Sequence, residues 1–160
     1  MSEIPPEEKV IQAFEQISDL YGFNRSYARL YGTLYFEDEM TLDELSEETG
    51  LSKSTVSRGM NKIEDMYLAE SRKKEGHGKT KFYSAKRDLE EATMKFMENE
   101  ATKEIEIMTE ALDEAEQDFR EKGDDENLER IKNLQKFYSR AGKFVSLMKK
   151  MPSGKAFDRI

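Results

Sequence analysis

Apolar residues return every three or four positions along most of this chain, and every second position along one short stretch. Val10, Phe14, Ile17 and Tyr21 sit at helical spacing. They follow a Pro5-Pro6-Glu7-Glu8 start and precede Gly22. Proline fits a first helical turn, and acids there favour the positive end of the helix dipole. Asn24 can cap a second helix carrying Tyr27, Leu30, Tyr31, Leu34 and Tyr35. Gly32 lies inside it at some cost in propensity, which predicts a close helix–helix approach. Thr41-Leu42-Asp43-Glu44 is a capping box that opens a third helix with Leu42 and Leu45 inward, ending at Gly50. Ser52 caps a fourth, with Val56, Met60 and Ile63 on the core face. Its opposite face carries Ser54, Arg58 and Asn61, flanked by Ser57 and Lys62.

The period then changes. Residues 68–74 and 79–85 alternate around Glu75-Gly76-His77-Gly78, a hairpin with a glycine-rich tip. A second capping box, Asp88-Leu89-Glu90-Glu91, opens a long helix with Leu89, Ala92, Phe96, Ala101, Ile105, Met108, Leu112, Ala115 and Phe119. From Ile105 the spacing alternates three and four, a coiled-coil-like seam. Gly123 suits the left-handed position after a helix. A last helix carries Leu128, Ile131, Leu134, Tyr138, Ala141, Val145 and Met148, with Phe137 and Phe144 beside the stripe. It ends before Pro152, and the last nine residues are expected to fray.

Two short helices joined by a tight glycine-containing turn are the helix-turn-helix pattern, and the hairpin behind them is a wing. The expected fold is therefore mostly α: a winged helix-turn-helix with a two-stranded β wing over residues 1–87, then a C-terminal helical dimerisation hairpin over 88–160. Composition supports a shared core. Apolar residues make up 36% of the 160 and charged residues 38%, against about 45–50% and about 25% for ordinary domains.

Charge changes the picture more. The chain carries a net charge of −8, yet Ser52–Arg87 holds ten Lys or Arg against four Asp or Glu. A polyanion responds to local positive potential and to the number of phosphates neutralised. Net charge argues against a nucleic-acid partner, and its distribution argues for one. Hydroxyls and free N–H groups at a helix start suit phosphate oxygens. Arg can read guanine and Asn adenine in the major groove. The expected contacts to double-stranded DNA are Ser52, Lys53, Ser54, Thr55, Ser57, Arg58, Asn61 and Lys62 from the helix. Arg72, Lys73, Lys74, His77 and Lys79 join them from the wing, whose tip can enter a minor groove. Phe82 is expected to pack inward. His77, the single histidine, reads equally as an exposed loop residue. The alternative to all of this is an ordinary solvated helix face.

Seven of the 16 aromatics fall between Phe14 and Phe36, and Tyr27, Tyr31 and Tyr35 share one helix face. Tyrosine faces can cage a quaternary ammonium. Such stripes also serve core and dimer packing, and spacing leaves both readings open. The acid-rich helix after Asp88 reads as a solvated face partly paired with Lys95 and Lys103. With no Cys there is neither a disulfide nor a thiolate metal site, and no cofactor or metal is expected. No glycine-rich phosphate loop, nucleophile elbow or paired acid and base points to an enzyme. MSEIPPEEKV does not read as a signal peptide, and no stretch approaches about 20 apolar residues. The expected location is the cytoplasm.

Three runs carry a family resemblance: Tyr21-Gly22-Phe23-Asn24-Arg25-Ser26, Leu30-Tyr31-Gly32-Thr33-Leu34-Tyr35, and Asp38-Glu39-Met40-Thr41-Leu42-Asp43-Glu44-Leu45. Together they resemble the GbsR-type regulators of the MarR-like winged-helix group. Leu51-Ser52-Lys53-Ser54-Thr55-Val56-Ser57 fits the start of their recognition helix. The resemblance covers roughly residues 10–90 in sequence and the remainder in helical layout. It implies a homodimeric transcriptional repressor on a palindromic operator, controlling genes for uptake or synthesis of osmoprotectants such as glycine betaine. In some members choline is the effector, held in an aromatic box. Here that would recruit Tyr21, Phe23, Tyr27, Tyr31, Tyr35 and Phe96, without the tryptophan that binds cations best. An effector-blind regulator and a winged helix serving as a protein–protein module are the competing readings.

Overall fold

The computed structural model describes residues 3–151. The chain divides into two units, Met1–Ala92 and Thr93–Ile160. The first holds α1 (Pro6–Leu20), α2 (Arg25–Tyr35), α3 (Leu42–Thr49), α4 (Lys53–Asp65), β1 (Ala69–Lys73) and β2 (Lys81–Ala85). Helix α5 (Leu89–Lys122) begins there and runs on into the second unit, followed by α6 (Asp125–Lys149). The expected fraying after Pro152 falls outside the described residues. Among the described residues, no helix is long and apolar enough to cross a membrane.

Helix α2 is the centre of the first unit and packs on α1, α3, α4 and β2. Asn24 caps it by accepting from the Ser26 amide at 2.8 Å. Leu30 and Leu34 are fully enclosed, together with Leu45, Val56, Met60 and Ile63 from α3 and α4. Tyr83 and Ala85 close the core from the wing. Burying six such side chains is the main source of stability here, at about 1.5–3 kcal/mol for each large aliphatic side chain.

Helix α1 departs from the pattern reading. Ile11, Glu15 and Ser18 face inward, while Val10, Ile17 and Tyr21 are 41%, 48% and 72% exposed. Two features turn the helix. A Cβ at Gly32 would lie 3.0 Å from Ile11 Cγ1 and 3.3 Å from its Cα, so the missing side chain admits Ile11. Arg29 grips the same face. Its Nε donates to Glu15 at 2.8 Å and its Nη2 to Glu8 at 2.8 Å. A guanidinium can serve two carboxylates because its donors are fixed in a planar fork.

That grip makes a pH prediction. The hydrogen bond from Arg29 holds the Glu8 carboxyl below its ordinary value of 4.5. A depressed folded-state pKa adds stability that is complete above the ordinary value and is lost as pH falls through the folded one. Glu8→Gln is expected to flatten the fall in melting temperature below about pH 4.5 and to leave the pH 6–8 region parallel to wild type. Equal acid limbs for the two proteins would refute it.

Thr41 and Glu44 form the reciprocal box that opens α3. Thr41 Oγ1 accepts from the Glu44 amide at 3.3 Å, and the Thr41 amide donates to Glu44 Oε2 at 2.7 Å. Gly50, at φ 70°, reverses the chain in a left-handed conformation that residues with a Cβ rarely adopt. Side chains then hold the turn: Ser46 Oγ donates to the Leu51 carbonyl at 2.7 Å, and Thr49 Oγ1 to the Leu45 carbonyl at 2.6 Å.

Strands β1 and β2 are antiparallel, with Ala69 opposite Ala85, Ser71 opposite Tyr83, Arg72 opposite Phe82 and Lys73 opposite Lys81. Met40 adds a short third edge by exchanging both backbone hydrogen bonds with Tyr83, at 2.8 Å each. Phe82, expected inward, faces away from the core. Tyr83 takes the inward position at 3% exposure, because strand side chains alternate and Ala69, Tyr83 and Ala85 define the core side.

In the second unit, Asp124 caps α6 by accepting from the Asn127 amide at 3.1 Å. Leu112 of the expected seam is buried, as is Val145. Gln135 donates to Glu116 at 2.7 Å, and the Tyr138 hydroxyl to Glu104 at 3.2 Å. Ile107, Phe137, Phe144 and Leu147 remain 61–67% exposed. Large apolar side chains beside the last two stripes are thus left uncovered on this unit.

Candidate nucleic-acid interface

The N-terminus of α4 is built by its own hydroxyls. Ser52 Oγ accepts from the Thr55 amide at 3.2 Å and donates to Thr55 Oγ1 at 2.9 Å. Its distance to Ser54 Oγ is 3.2 Å. These groups fix the helix start and leave Ser52, Lys53 and Ser54 at the surface.

Val56, Gly59, Met60 and Ile63 press α4 into the core. Gly59 permits this: a Cβ there would sit 2.5 Å from Leu30 Cδ1 and 2.8 Å from the Tyr27 ring. The helix therefore turns Arg58, Asn61 and Lys62 outward, and all three are exposed. Among the described residues their side chains make no hydrogen bond or ion pair within the protein.

The wing presents two chemically different faces. Lys73 and Lys81 lie on the side of Tyr83, by the alternation of the strands. There an open cleft of about 400 Å³ lies between α4 and the wing stem, lined by Ser57, Asn61, Lys79, Thr80, Lys81 and Asp43 among others. Arg72 and Phe82 share the other side. Arg72 donates to Glu39 at 3.0 Å, and the Lys74 ammonium pairs with the same carboxylate. Lys74 also lies 4.3 Å from the Phe82 ring centre, and His77 meets that ring edge-on at 5.2 Å.

Of the residues expected from sequence, Ser57, Asn61 and Lys79 line the cleft, and Arg58 and Lys62 stand exposed on the same helix. Lys53 is partnered by Asp43 at 2.9 Å. The hydrogen bond to Asp43 raises the Lys53 pKa. Lys81 and Thr80 were missed, although Lys81 could have been found by continuing the alternation from Lys79. Glu39 was also missed, and no local pattern reveals a partner 33 positions away in the chain.

The aromatic residues divide into groups. Phe14, Tyr31 and Tyr35 meet edge-on or tilted, with ring centres 5.4–6.5 Å apart. Tyr31 is buried and donates to the Lys86 carbonyl at 3.3 Å. Burial pushes its phenol up to about 12, so it remains a donor. The Tyr35 face already carries a cation, the Arg87 guanidinium at 5.7 Å. Arg87 also donates to the Tyr35 and Glu37 carbonyls at 3.0 Å each, satisfying the end of α2. Tyr21 and Phe23 pair with each other at 6.4 Å. Tyr27 turns to Gly59 of α4, and Phe96 lies on α5 in the second unit.

Comparison with known proteins agrees with this architecture. Residues 18–87 match the family described as sugar-specific transcriptional regulator TrmB. The HTH-type transcriptional repressor GbsR of Bacillus subtilis is 36% identical over 110 residues, which take in 69% of this chain and 61% of that protein. The chain thus spans about three fifths of the length of that curated relative. Among solved structures, the crystal structure of a transcriptional regulator superposes with a TM-score of 0.62 at 16% identity, over 89% of this chain and 94% of that one. TrmBL2, an archaeal chromatin protein with a novel mode of DNA binding, gives 0.50 at 18% identity, over 78% and 42%. Those two likenesses speak to fold. Residues 18–87 are thus similar to the TrmB transcriptional-regulator family and take a winged-helix fold, and 110 residues of the chain are similar to GbsR.

Proposed function

We propose that this chain is a dimeric, sequence-specific DNA-binding repressor of transcription that acts in the cytoplasm. The carrying observation is the outward face of α4. Arg58, Asn61 and Lys62 stand exposed, beside a cleft whose wing side supplies Lys79 and Lys81. Residues 1–87 would read DNA and residues 88–160 would join two copies. The uncovered apolar side chains of α5 and α6 support that pairing. A two-fold dimer places two α4 helices on a palindromic operator, with half-sites about one DNA turn apart.

Footprinting on DNA from the protein's own promoter region tests this. The expected pattern is two protected half-sites whose centres lie about ten base pairs, or a multiple of that spacing, apart. A single unpaired site, or protection without sequence preference, contradicts it.

The GbsR-type resemblance adds control of osmoprotectant uptake or synthesis genes and response to choline or a related quaternary ammonium. The Tyr35 ring already holds the Arg87 guanidinium, so a quaternary ammonium bound on that face would displace one cation with another. An effector acts only through different affinities for the DNA-competent and incompetent states. Choline titrated onto the operator complex should therefore release DNA with a saturating midpoint. Release no greater than with equal sodium chloride would favour an effector-blind regulator.

A further inference from the structure

We infer that Glu39 is a positioning residue that withholds Arg72 and Lys74 from phosphate, so that the wing offers DNA only its α4-facing cations and non-specific binding stays weak. The inference rests on the DNA-binding reading above.

Glu39 is held in place by the backbone. The next residue, Met40, exchanges two hydrogen bonds of 2.8 Å with Tyr83. Glu39 therefore moves with the wing. Its carboxylate, only 24% exposed, takes both Arg72, itself 70% exposed, and the more sheltered Lys74. The Phe82 ring supports Lys74 from beneath. A half-sheltered carboxylate that serves two cations, one of them on an aromatic face, holds them better than a lone exposed pair does.

Strand alternation completes the sorting. Arg72 and Phe82 point to one side, Lys73 and Lys81 to the other. Lys81 and Lys79 line the cleft with Asn61 of α4. Among the described residues Lys73, Lys79 and Lys81 form no ion pair. The basic hairpin thus has a committed face and an available one. Non-specific affinity depends on the number of phosphates neutralised, whereas base reading depends on α4. Cations engaged by Glu39 add less to the binding of random DNA in every register. Specificity, being a ratio of the two affinities, rises.

The test is binding of a scrambled duplex by fluorescence anisotropy across a salt series. Each released cation should steepen the slope of log K against log salt by about 0.9, and tighten binding roughly tenfold at 0.1 M salt. Glu39→Gln should therefore steepen the slope by about one to two and narrow the operator-to-scrambled ratio. Asp38→Asn removes the same charge from the exposed neighbouring residue, and should change neither. Adding Arg72→Gln and Lys74→Gln to Glu39→Gln should undo its steepening. A Glu39→Gln slope equal to that of wild type, or matched by Asp38→Asn, overturns the inference.

A second readout needs no variant. Lysine acylation of the wild-type protein, read by mass spectrometry, should show scrambled DNA protecting Lys79 and Lys81 but not Lys74. Equal protection of Lys74 overturns the inference. Wild-type protein that binds no DNA even at low salt overturns the DNA-binding reading along with it. That result is distinct from DNA binding with an unchanged Glu39→Gln slope.

Discussion

Replacing Arg58 and Asn61 together by alanine removes operator selectivity while leaving the fold intact. Both side chains are exposed on α4, so their loss should change stability by less than about 0.5 kcal/mol. A good two-bond contact to a base is worth about 1–3 kcal/mol of discrimination. The pair should therefore cost about 2–6 kcal/mol against the operator, roughly thirtyfold to twenty-thousandfold in affinity. Scrambled DNA should be bound less weakly by comparison, with a change dominated by the loss of one positive charge. Lys79→Ala gives the contrasting signature: weaker binding to operator and scrambled DNA alike, and a salt slope shallower by about one. Competition anisotropy with the two duplexes separates the two patterns. Unchanged selectivity in the double variant, with a wild-type melting curve, would remove α4 from sequence reading and favour a protein-partner role for this face.

The second large effect is on stability. Leu30→Ala should destabilise the protein by about 2–5 kcal/mol, the range for truncating a large buried aliphatic side chain. Leu30 is fully enclosed where α2 meets α4. The same contact makes Gly59→Ala destabilising, although alanine favours a helix over glycine by about 1 kcal/mol. The new Cβ would approach Leu30 Cδ1 to 2.5 Å and Tyr27 Cδ1 to 2.8 Å. Overpacking of this kind costs about 1–3 kcal/mol, which leaves a net loss of up to about 2 kcal/mol. Because Leu30 is one of the two obstructions, Gly59→Ala should cost less in the Leu30→Ala background, with a coupling above about 0.5 kcal/mol. Denaturant melts of the four proteins measure it. Strict additivity would show that α4 simply shifts outward to accommodate the methyl group.

The gap at Gly59 ties stability to function, since it sets how deeply the DNA-facing helix beds onto α2. It also shows where sequence reading stops. The α4 stripe of Val56, Met60 and Ile63 was legible from spacing, and so was the opposite polar face. Ser52, Thr41 and Gly50 gave the local boundaries because their chemistry acts within a few residues. The α1 face was only partly legible: Phe14 packs on the core, but Val10, Ile17 and Tyr21 give way to Ile11, Glu15 and Ser18. What decides that face is Arg29, from another helix, and the notch at Gly32. Neither feature can be seen within α1 itself.

The wing follows the same division. Its strands and glycine tip were legible from alternation, but the inward residue was misplaced by one position, at Phe82 instead of Tyr83. A one-residue change of phase exchanges the two faces of a strand. The pairing of Met40 with Tyr83 fixes that phase, across more than forty residues of chain. The sorting of basic residues into paired and available sets depends on Glu39 and Asp43, and so on tertiary structure. Charge counting showed that Ser52–Arg87 is basic without showing which cations are already engaged.

The most direct test of the central claim is fluorescence anisotropy of the wild-type protein on promoter DNA and on a scrambled duplex of equal length, over about 50–200 mM salt. Phosphate contacts by the available cations should make log K fall linearly with log salt, by about 0.9 for each contact. The promoter duplex should bind at least about a thousandfold more tightly than the scrambled one, the lower end for specific readers. Equal affinity for the two duplexes, or no binding at 50 mM salt, would contradict the account.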